Sequence, residues 1–220
     1  MESRLAPSIL AADFSCLGDQ IRALEQEKME FLHIDVMDGM FVPSISFGMP
    51  LIASLRKITD LFFDVHLMVQ EPIRYIKEFR KVGADGITVH YEACEDLEAT
   101  LGAIRDTGAK AAVSLCPETP VSVVEPYLTQ VDMIVVMGVH PGFGGQTLIL
   151  ETLNKIRQLQ KIREEKQLGF FIEIDGGVYR ENIAEVVTCG TDLVVAGTAV
   201  FQGNIKDNIR MLKEVITHDS

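Results

Sequence analysis

Short apolar runs alternate along the chain with longer stretches whose apolar residues recur at helical spacing. The apolar runs, rich in β-branched residues, predict strands at Leu5–Leu10, Phe31–Val36, Phe62–Leu67, Gly86–Val89, Ala111–Leu115, Met133–Met137, Phe170–Ile174 and Leu193–Ala196. The periodic stretches predict helices at Gly18–Glu27, Pro50–Lys57, Pro72–Val82, Glu95–Thr107, Val121–Leu128, Leu148–Lys166, Arg180–Cys189 and Asn204–His218. Eight strands, each followed by a helix, are typical of a parallel α/β sheet.

Two parallel architectures fit this alternation, a closed barrel and an open doubly wound sheet. The open sheet usually carries a glycine-rich turn after its first strand. Here that turn reads Ser8-Ile9-Leu10-Ala11-Ala12-Asp13 and contains no glycine. No linker or low-complexity segment divides the 220 residues. We therefore predict a single (β/α)₈ TIM barrel domain spanning residues 1–220, with the open sheet as the alternative.

Composition narrows the class of partner. The chain has 20 Lys and Arg against 32 Asp and Glu, a net charge of −12, which argues against nucleic acid. No apolar run approaches the roughly 20 residues of a membrane span, and the first residues show no signal-peptide pattern. The four cysteines are scattered, which argues against a zinc finger or a redox pair. We expect a soluble cytoplasmic protein that binds neither nucleic acid nor membrane, with a homo-oligomer left open.

Polar residues mark the ends of three predicted strands. The second strand carries His33 and Asp35, the third His66, and the seventh Asp175. Residues two apart share a strand face, and the active site of a barrel lies at the carboxyl ends of its strands. Two imidazoles and two carboxylates there predict a site for a divalent transition metal.

The alternative is that each of these buried residues hydrogen-bonds its neighbours or the backbone. For one residue that interpretation is reasonable. Four together on three strand ends favour a cation, because unpaired carboxylates are costly to bury.

Glycine-rich loops follow the sixth, seventh and eighth strands. They contain Gly142-Phe143-Gly144-Gly145, Gly176-Gly177 and Gly197-Thr198, with no lysine or arginine. Glycines let backbone N–H groups converge on an anion, and barrel enzymes often hold a phosphate near the last two loops. Glycine-rich turns are also common as plain turns, but three in succession favour phosphate binding.

Three methionines, Met37, Met68 and Met137, fall near strand ends. Methionine is usually a core gap-filler. The functional interpretation is an apolar wall that keeps water from a reacting centre.

At these residues the sequence resembles the ribulose-phosphate 3-epimerase family, from about Leu5 to Phe201. The matching stretches are Ala6-Pro7-Ser8-Ile9-Leu10-Ala11-Ala12-Asp13, His33-Ile34-Asp35-Val36-Met37-Asp38-Gly39, Phe41-Val42-Pro43, Asp64-Val65-His66-Leu67-Met68-Val69, Pro141-Gly142-Phe143-Gly144-Gly145-Gln146 and Asp175-Gly176-Gly177-Val178.

The resemblance implies an epimerase that inverts C3 of a ketose phosphate, chiefly ribulose 5-phosphate. It implies one divalent ion (zinc, iron(II), manganese or cobalt) held by His33, Asp35, His66 and Asp175. It also implies Asp35 and Asp175 as the acid/base pair. The substrate contacts it implies are Ser8, His66, Gly142, Phe143, Gly144, Gly145, Asp175, Gly176, Gly177, Gly197 and Thr198.

The sequence departs from the family pattern at four positions, which we expect to surround the substrate pocket. Gly138 stands where Thr or Ser is usual, His140 where Asn or Glu is, Cys116 where Asn is, and Thr198 where Ser is common. These departures leave substrate identity open, with allulose-6-phosphate 3-epimerase as an alternative. His140 is expected either to meet the substrate or to face solvent.

A metal-free phosphate-binding barrel lyase is the less favoured alternative, because such sites generally need a lysine at a strand end and these strand ends have none. A non-catalytic phosphosugar-binding barrel is another. For His90 and Glu92, after the fourth strand, two interpretations stay open. They either support the metal site from behind its ligands or have only the structural role of any residue at a strand end.

Overall fold

The computed structural model describes residues 3–218, and the predicted domain limits at 1 and 220 lie outside that range. Its strands are β1 Arg4–Pro7, β2 Phe31–Met37, β3 Phe62–Met68, β4 Gly86–His90, β5 Lys110–Leu115, β6 Met133–Met137, β7 Phe171–Asp175 and β8 Leu193–Ala196. Its α-helices are α1 Leu17–Gln26, α2 Met49–Leu55, α3 Ile76–Lys81, α4 Leu97–Asp106, α5 Leu153–Glu165, α6 Ile183–Thr188, α7 Thr198–Phe201 and α8 Ile205–His218.

The eight strands form one parallel sheet that curls into a barrel. Neighbouring strands pair in the order β1-β8-β7-β6-β5-β4-β3-β2. An isolated parallel bridge between Ser8 and His33 joins the two ends of this order. The predicted (β/α)₈ TIM barrel is confirmed, and the open sheet is wrong.

Side chains alternate between the two faces of each strand. On β2, Leu32, Ile34 and Val36 belong to the main core between strands and helices. The intervening His33 and Asp35 are buried on the opposite face, inside the barrel. On β3 and β7 the same alternation turns Asp64, His66, Glu173 and Asp175 inward. Alternation along the strands thus places these polar side chains inside the barrel, near the carboxyl ends of the strands.

The first strand is shorter than predicted. It ends at Pro7, and Ile9–Ala11 form a 3₁₀ turn instead of continuing the strand to Leu10. The Ser8 hydroxyl begins this turn by accepting a hydrogen bond from the Leu10 N–H at 3.3 Å. The turn brings the chain across the mouth of the barrel.

The predicted helix Val121–Leu128 is wrong. The segment forms two 3₁₀ turns, Val121–Val123 and Glu125–Tyr127. Pro126 lies inside it, and a proline there lacks the N–H of an α-helical turn and clashes with the carbonyl four residues earlier.

Three other predicted helices are shorter than expected by four or more residues. The segment predicted from Pro72 begins with a 3₁₀ turn, Pro72–Arg74, before α3. Of the helices predicted over Leu148–Lys166 and Arg180–Cys189, only the parts that form α5 and α6 are α-helical. The short helix α7 was not predicted. Among residues 3–218, no helix combines the length and apolar character needed to cross a lipid bilayer.

Candidate active site

Four polar side chains from three strands meet inside the carboxyl end of the barrel. His33 Nε2 lies 3.2 Å from Asp35 Oδ1 and 3.5 Å from Asp175 Oδ2. His66 Nδ1 lies 3.2 Å and 3.1 Å from the same two oxygens. The structure therefore brings together all four residues that the sequence proposed as metal ligands.

The donor atoms have the spacing of a metal site. All four lie within 4.8 Å of one another. A tetrahedral site with metal–ligand bonds of about 2.0–2.1 Å has ligand–ligand edges of about 3.3 Å. The four contacts, 3.1–3.5 Å, bracket that value. Two imidazoles and two carboxylates also suit a divalent transition metal chemically, so the residues present fit the ion that the family implies.

A hydrogen bond beneath the cluster orients His33. Its Nδ1 lies 2.7 Å from Asp64 Oδ2, so the Nδ1 proton is donated to that carboxylate. In the neutral ring, which is the form that binds a metal, the lone pair is then left on Nε2, which faces Asp35 and Asp175. A carboxylate behind a histidine is the usual support of a metal-binding imidazole.

Glu173 lies next to this pair, with an oxygen 3.6 Å from His33 Nδ1. Burial, together with the negative charge of Asp64, raises the pKa of Glu173 well above its usual range. Burial therefore favours the neutral form of Glu173, which limits the negative charge inside the barrel.

A second chain of contacts orients His66. With Nδ1 facing the two aspartates, its Nε2 lies 2.9 Å from His90 Nε2. His90 Nδ1 in turn lies 3.3 Å from Glu92 Oε2. Burial lowers the pKa of His90 to about 4, so this ring is neutral at pH 7. A lone pair on His66 Nδ1 requires its proton on Nε2, which makes His90 the acceptor there and the donor to Glu92.

The buried histidines and carboxylates of the cluster shift one another's pKa values. Burial opposes the charged form of His33, but the carboxylates of Asp35, Asp64 and Asp175 outweigh it and hold the pKa of His33 well above its usual range. Burial likewise opposes ionisation of Asp35, yet the two histidines lower its pKa. Asp35 and Asp175, whose pKa values are lowered, are thus anionic at pH 7, and they favour the protonated form of the two imidazoles. A bound cation would take over the role of balancing their charge.

A cavity opens directly above the cluster. It is lined by Ser8, Asp35, Met37, Met68, Met137, Gly142, Phe143, Gly144, Gly145, Asp175, Gly176, Gly177, Gly197 and Thr198, among others. Every predicted site residue except His33 and His66 lies on this lining, and those two histidines are fully buried beneath it.

One side of the cavity is built from the three glycine-containing loops. Gly142 and Gly145 have φ of 123° and 74°, a left-handed conformation that side chains disfavour. The Gln146 amide holds this loop by donating to the carbonyls of His140 and Phe143 at 2.7 and 2.8 Å. No lysine or arginine is among the described residues that line the cavity.

Three of the four departures from the family pattern lie outside the cavity lining, contrary to expectation. Gly138 packs against the backbone of the seventh strand, and its N–H donates to the Asp175 carbonyl at 2.7 Å. His140 is exposed beside Glu118, at 3.4 Å. Cys116 lies against His90 and Glu92. Thr198 alone of the four faces the cavity.

Sequence reasoning left Asp64 and Glu173 without a role. Each stands two positions before a predicted ligand, His66 and Asp175, and therefore shares its strand face. That spacing is the signal that identifies them. Their contact with His33 from two different strands becomes visible only in three dimensions.

Comparison with known proteins agrees with this geometry. Residues 4–201 match the model of the ribulose-phosphate 3 epimerase family. A protein from Bacillus subtilis named ribulose-phosphate 3-epimerase is 46% identical over 199 residues, covering 90% of this chain and 92% of its own. A protein of the same name from Synechocystis is also 46% identical over 199 residues, covering 90% of this chain and 86% of its own.

Solved structures show the fold. A ligand-bound crystal structure of the Streptococcus mutans protein abbreviated KGPDC superposes with a TM-score of 0.75 at 17% identity, covering 99% of both chains. The family match spans every site residue described above, and the relatives named here cover 90% of the chain. The chain belongs to the ribulose-phosphate 3-epimerase family, a family of isomerases.

Proposed function

We propose that this protein inverts the configuration at C3 of a ketose phosphate, converting D-ribulose 5-phosphate to D-xylulose 5-phosphate. The observation that carries the proposal is the position of Asp35 and Asp175. They come from β2 and β7, which β1 and β8 separate in the barrel wall, and both carboxylates border one cavity. A substrate lying between them presents opposite faces of one carbon to two carboxylates.

The proton transfers follow from that arrangement. One aspartate removes the C3 proton, and the electron pair of the broken C–H bond forms a C2–C3 double bond while charge moves to the ketone oxygen. The other aspartate then returns a proton to C3 from the opposite face, and the ketone re-forms. Which aspartate begins as the base depends on the direction of reaction. In the free protein the histidines outweigh the effect of burial and lower the pKa values of both aspartates. The aspartate that acts as the acid therefore takes up one proton from solvent when the substrate binds, and the pair holds one proton before and after each turnover.

The resident cation is proposed to be held by His33, Asp35, His66 and Asp175. Zinc, iron(II), manganese and cobalt all suit such a donor set. A divalent ion there supplies Lewis-acid stabilisation of the negative charge that develops on the substrate oxygens. The protein's own part is to present the imidazole lone pairs, which Asp64 and His90 direct toward the carboxylates.

Three methionines are proposed to shield the reacting carbon from water. Met37, Met68 and Met137 are each at most 4% exposed, and all three line the cavity. Thioether side chains neither donate nor hold protons at neutral pH. They therefore keep a carbanion-like intermediate away from stray protons without competing with the two aspartates.

The glycine-rich side of the cavity is proposed to bind the phosphate. Gly142, Gly144, Gly145, Gly176, Gly177, Gly197 and Thr198 border it. Backbone N–H groups and the Thr198 hydroxyl are uncharged donors, consistent with a lining that lacks lysine and arginine. Ser8 and Phe143 complete the proposed substrate contacts.

The acidic composition and scattered cysteines favour the cytoplasm as the compartment.

The decisive experiment is a coupled assay with ribulose 5-phosphate and allulose 6-phosphate, each with and without a metal chelator. We expect preferential turnover of the pentose phosphate and loss of activity on chelation. Asp35→Asn and Asp175→Asn should each reduce turnover at least about 10³-fold, the size of a general-base effect. Asp106→Asn, an exposed carboxylate at the end of α4, serves as the control.

Solvent deuterium should enter the substrate at C3 during turnover. Activity that is indifferent to chelation would contradict the role of the cation, and a wild-type rate in Asp175→Asn would contradict the two-carboxylate mechanism. Faster turnover of allulose 6-phosphate would reassign the substrate to the hexose phosphate.

A further inference from the structure

A second group of metal-ligand atoms lies beside the proposed catalytic cluster, at the carboxyl ends of β4 and β5. It consists of His90 Nδ1, the Glu92 carboxylate and Cys116 Sγ, all within 4.8 Å of one another. None of these three side chains contributes to the lining of the substrate cavity. The proposed proton transfers make no use of Cys116.

The spacing of these atoms is that of tetrahedral zinc. Bonds of about 2.0–2.1 Å to nitrogen or oxygen and about 2.3 Å to sulfur give a nitrogen–oxygen edge of about 3.3 Å and a nitrogen–sulfur edge of about 3.6 Å. His90 Nδ1 lies 3.3 Å from Glu92 Oε2 and 3.6 Å from Cys116 Sγ. Both distances match the ideal edges, and the third edge, from the Glu92 carboxylate to Cys116 Sγ, is no longer than 4.8 Å.

The Glu92 carboxylate is fixed in the orientation that such a site requires. Its Oε1 accepts hydrogen bonds from the Cys116 N–H, at 2.9 Å, and from the Thr119 hydroxyl. Its Oε2 is thereby left to face His90. The Lys155 ammonium donates to the Cys116 carbonyl at 2.6 Å and holds the cysteine backbone in place.

The site is anchored on one side and open on the other. His90 is fully buried, whereas 23% of the Glu92 side chain is exposed. A cation there would have three protein ligands and a fourth position accessible to water, as in open zinc sites. The thiolate favours zinc or cadmium over magnesium or calcium.

We propose that His90, Glu92 and Cys116 form a second, inhibitory site for a thiophilic divalent cation such as zinc. The site itself rests on the three donors alone. The inhibitory effect rests on the proposed function of the first cluster, because it acts through His66.

The contact between the two histidines carries the coupling. Only one proton fits between His66 Nε2 and His90 Nε2, which are 2.9 Å apart. A cation on His90 Nδ1 takes the lone pair of that nitrogen, so the proton of the neutral ring moves to Nε2. His66 Nε2 must then accept, and its own proton moves to Nδ1. His66 thereby loses the lone pair that it directs toward Asp35 and Asp175. Each ring keeps its number of protons, while the Cys116 thiol releases its proton to solvent on binding the cation.

Cadmium titration of the whole protein tests the site directly. We expect an ultraviolet charge-transfer band from a cadmium–thiolate bond in the wild type and its loss in Cys116→Ser. The Cys116→Ser variant should also bind one cation fewer per chain. Cys16→Ser, which removes another partly exposed thiol, is the matched control and should keep the band. Cadmium-113 NMR of the wild type provides a readout that needs no variant, since sulfur ligation shifts the resonance strongly downfield.

The activity readout tests the coupling. Each protein is compared with its own rate before cadmium or excess zinc is added. Half-inhibition in Cys116→Ser should require at least about tenfold more cation than in the wild type or Cys16→Ser, because losing a direct ligand costs no less than losing a group that supports one, about 10- to 100-fold in affinity. A band that persists in Cys116→Ser, or a wild-type NMR spectrum that lacks any sulfur-ligated resonance, overturns the site. Equal inhibition of all three proteins overturns the coupling. The band and the stoichiometry difference do not depend on catalysis, so failure of the proposed function is distinguishable from failure of this site.

Discussion

The Ser8 hydroxyl donates a hydrogen bond to Asp35 Oδ2 at 2.6 Å, linking the turn after β1 to β2 inside the barrel. This bond occupies one carboxylate oxygen. The other oxygen, Oδ1, faces His33 and His66 at 3.2 Å from each. Ser8 therefore fixes which oxygen of Asp35 meets the metal-ligand cluster, in addition to bordering the cavity.

Replacing Ser8 by alanine should impair catalysis without removing a ligand. A hydrogen bond to a charged group contributes about 1.5–3 kcal/mol, which corresponds to about a 10- to 10²-fold loss of kcat if it supports Asp35 in the transition state. Losing a donor also raises the pKa of Asp35, so the acid limb of the kcat/KM profile should move to higher pH. Ser54→Ala, which removes an exposed hydroxyl on α2, is the control. An unchanged pH profile would argue against this role for Ser8.

Asp64→Asn should weaken metal binding. An asparagine amide that turns its NH₂ toward His33 Nδ1 requires a lone pair there, which moves the ring proton to Nε2, where the ion is proposed to bind. We expect metal affinity, measured by chelator competition, to fall about 10- to 100-fold. Asp60→Asn changes an exposed carboxylate just before β3 and should leave the affinity unchanged. Equal metal affinities in the two variants would show that Asp64 does not support the metal site.

Glu173 should make the metal-free protein less stable as the pH rises. Its pKa is raised in the folded state, chiefly by burial and then by Asp64. Between the unfolded pKa, about 4.5, and the higher folded pKa, the folded protein holds a proton that the unfolded chain has released. Unfolding then releases a proton, so the free energy of unfolding falls with increasing pH across that window. Glu173→Gln, which keeps the neutral shape, should flatten this slope in denaturant titrations. A slope equal to that of the wild type would show that Glu173 is ionised in the fold.

Gly138→Ala should destabilise the protein. A Cβ at this position would overlap the carbonyl oxygen of Gly176 and lie 2.8 Å from Leu148 Cδ1. Forcing the backbone apart costs about 1–3 kcal/mol, as overpacking does, and Tm falls by about 2–4 °C per kcal/mol in a domain of this size. Gly102→Ala is the contrasting variant, because nothing lies within 4 Å of a Cβ in that turn of α4. It should gain about 0.5–1 kcal/mol. Thermal melts that rank the two variants in the opposite order would contradict this account.

The fold and the centre of the site follow from local patterns. Strand alternation places His33 with Asp35, and His66 with Met68, on inward faces, and the barrel rule assigns those strand ends to the site. The prediction of a helix at Val121–Leu128 was wrong because it relied on the helical spacing of the apolar residues and gave too little weight to Pro126, which interrupts an α-helix. Spacing within one strand also cannot show a contact between strands. The pairing of His33 with Asp64, and of His66 with His90, depends on how neighbouring strands are registered.

Burial of the two histidines has a kinetic consequence. His33 and His66 have no exposed surface, and Asp35 and Asp175 are only 4% and 7% exposed, on the cavity side. Within the described residues, an ion on this cluster meets solvent only through the space that the substrate fills. A bound sugar phosphate therefore blocks the path between the ion and solvent. Saturating substrate should therefore slow the loss of metal to a chelator. The enzyme should keep its metal longer during turnover than in the absence of substrate.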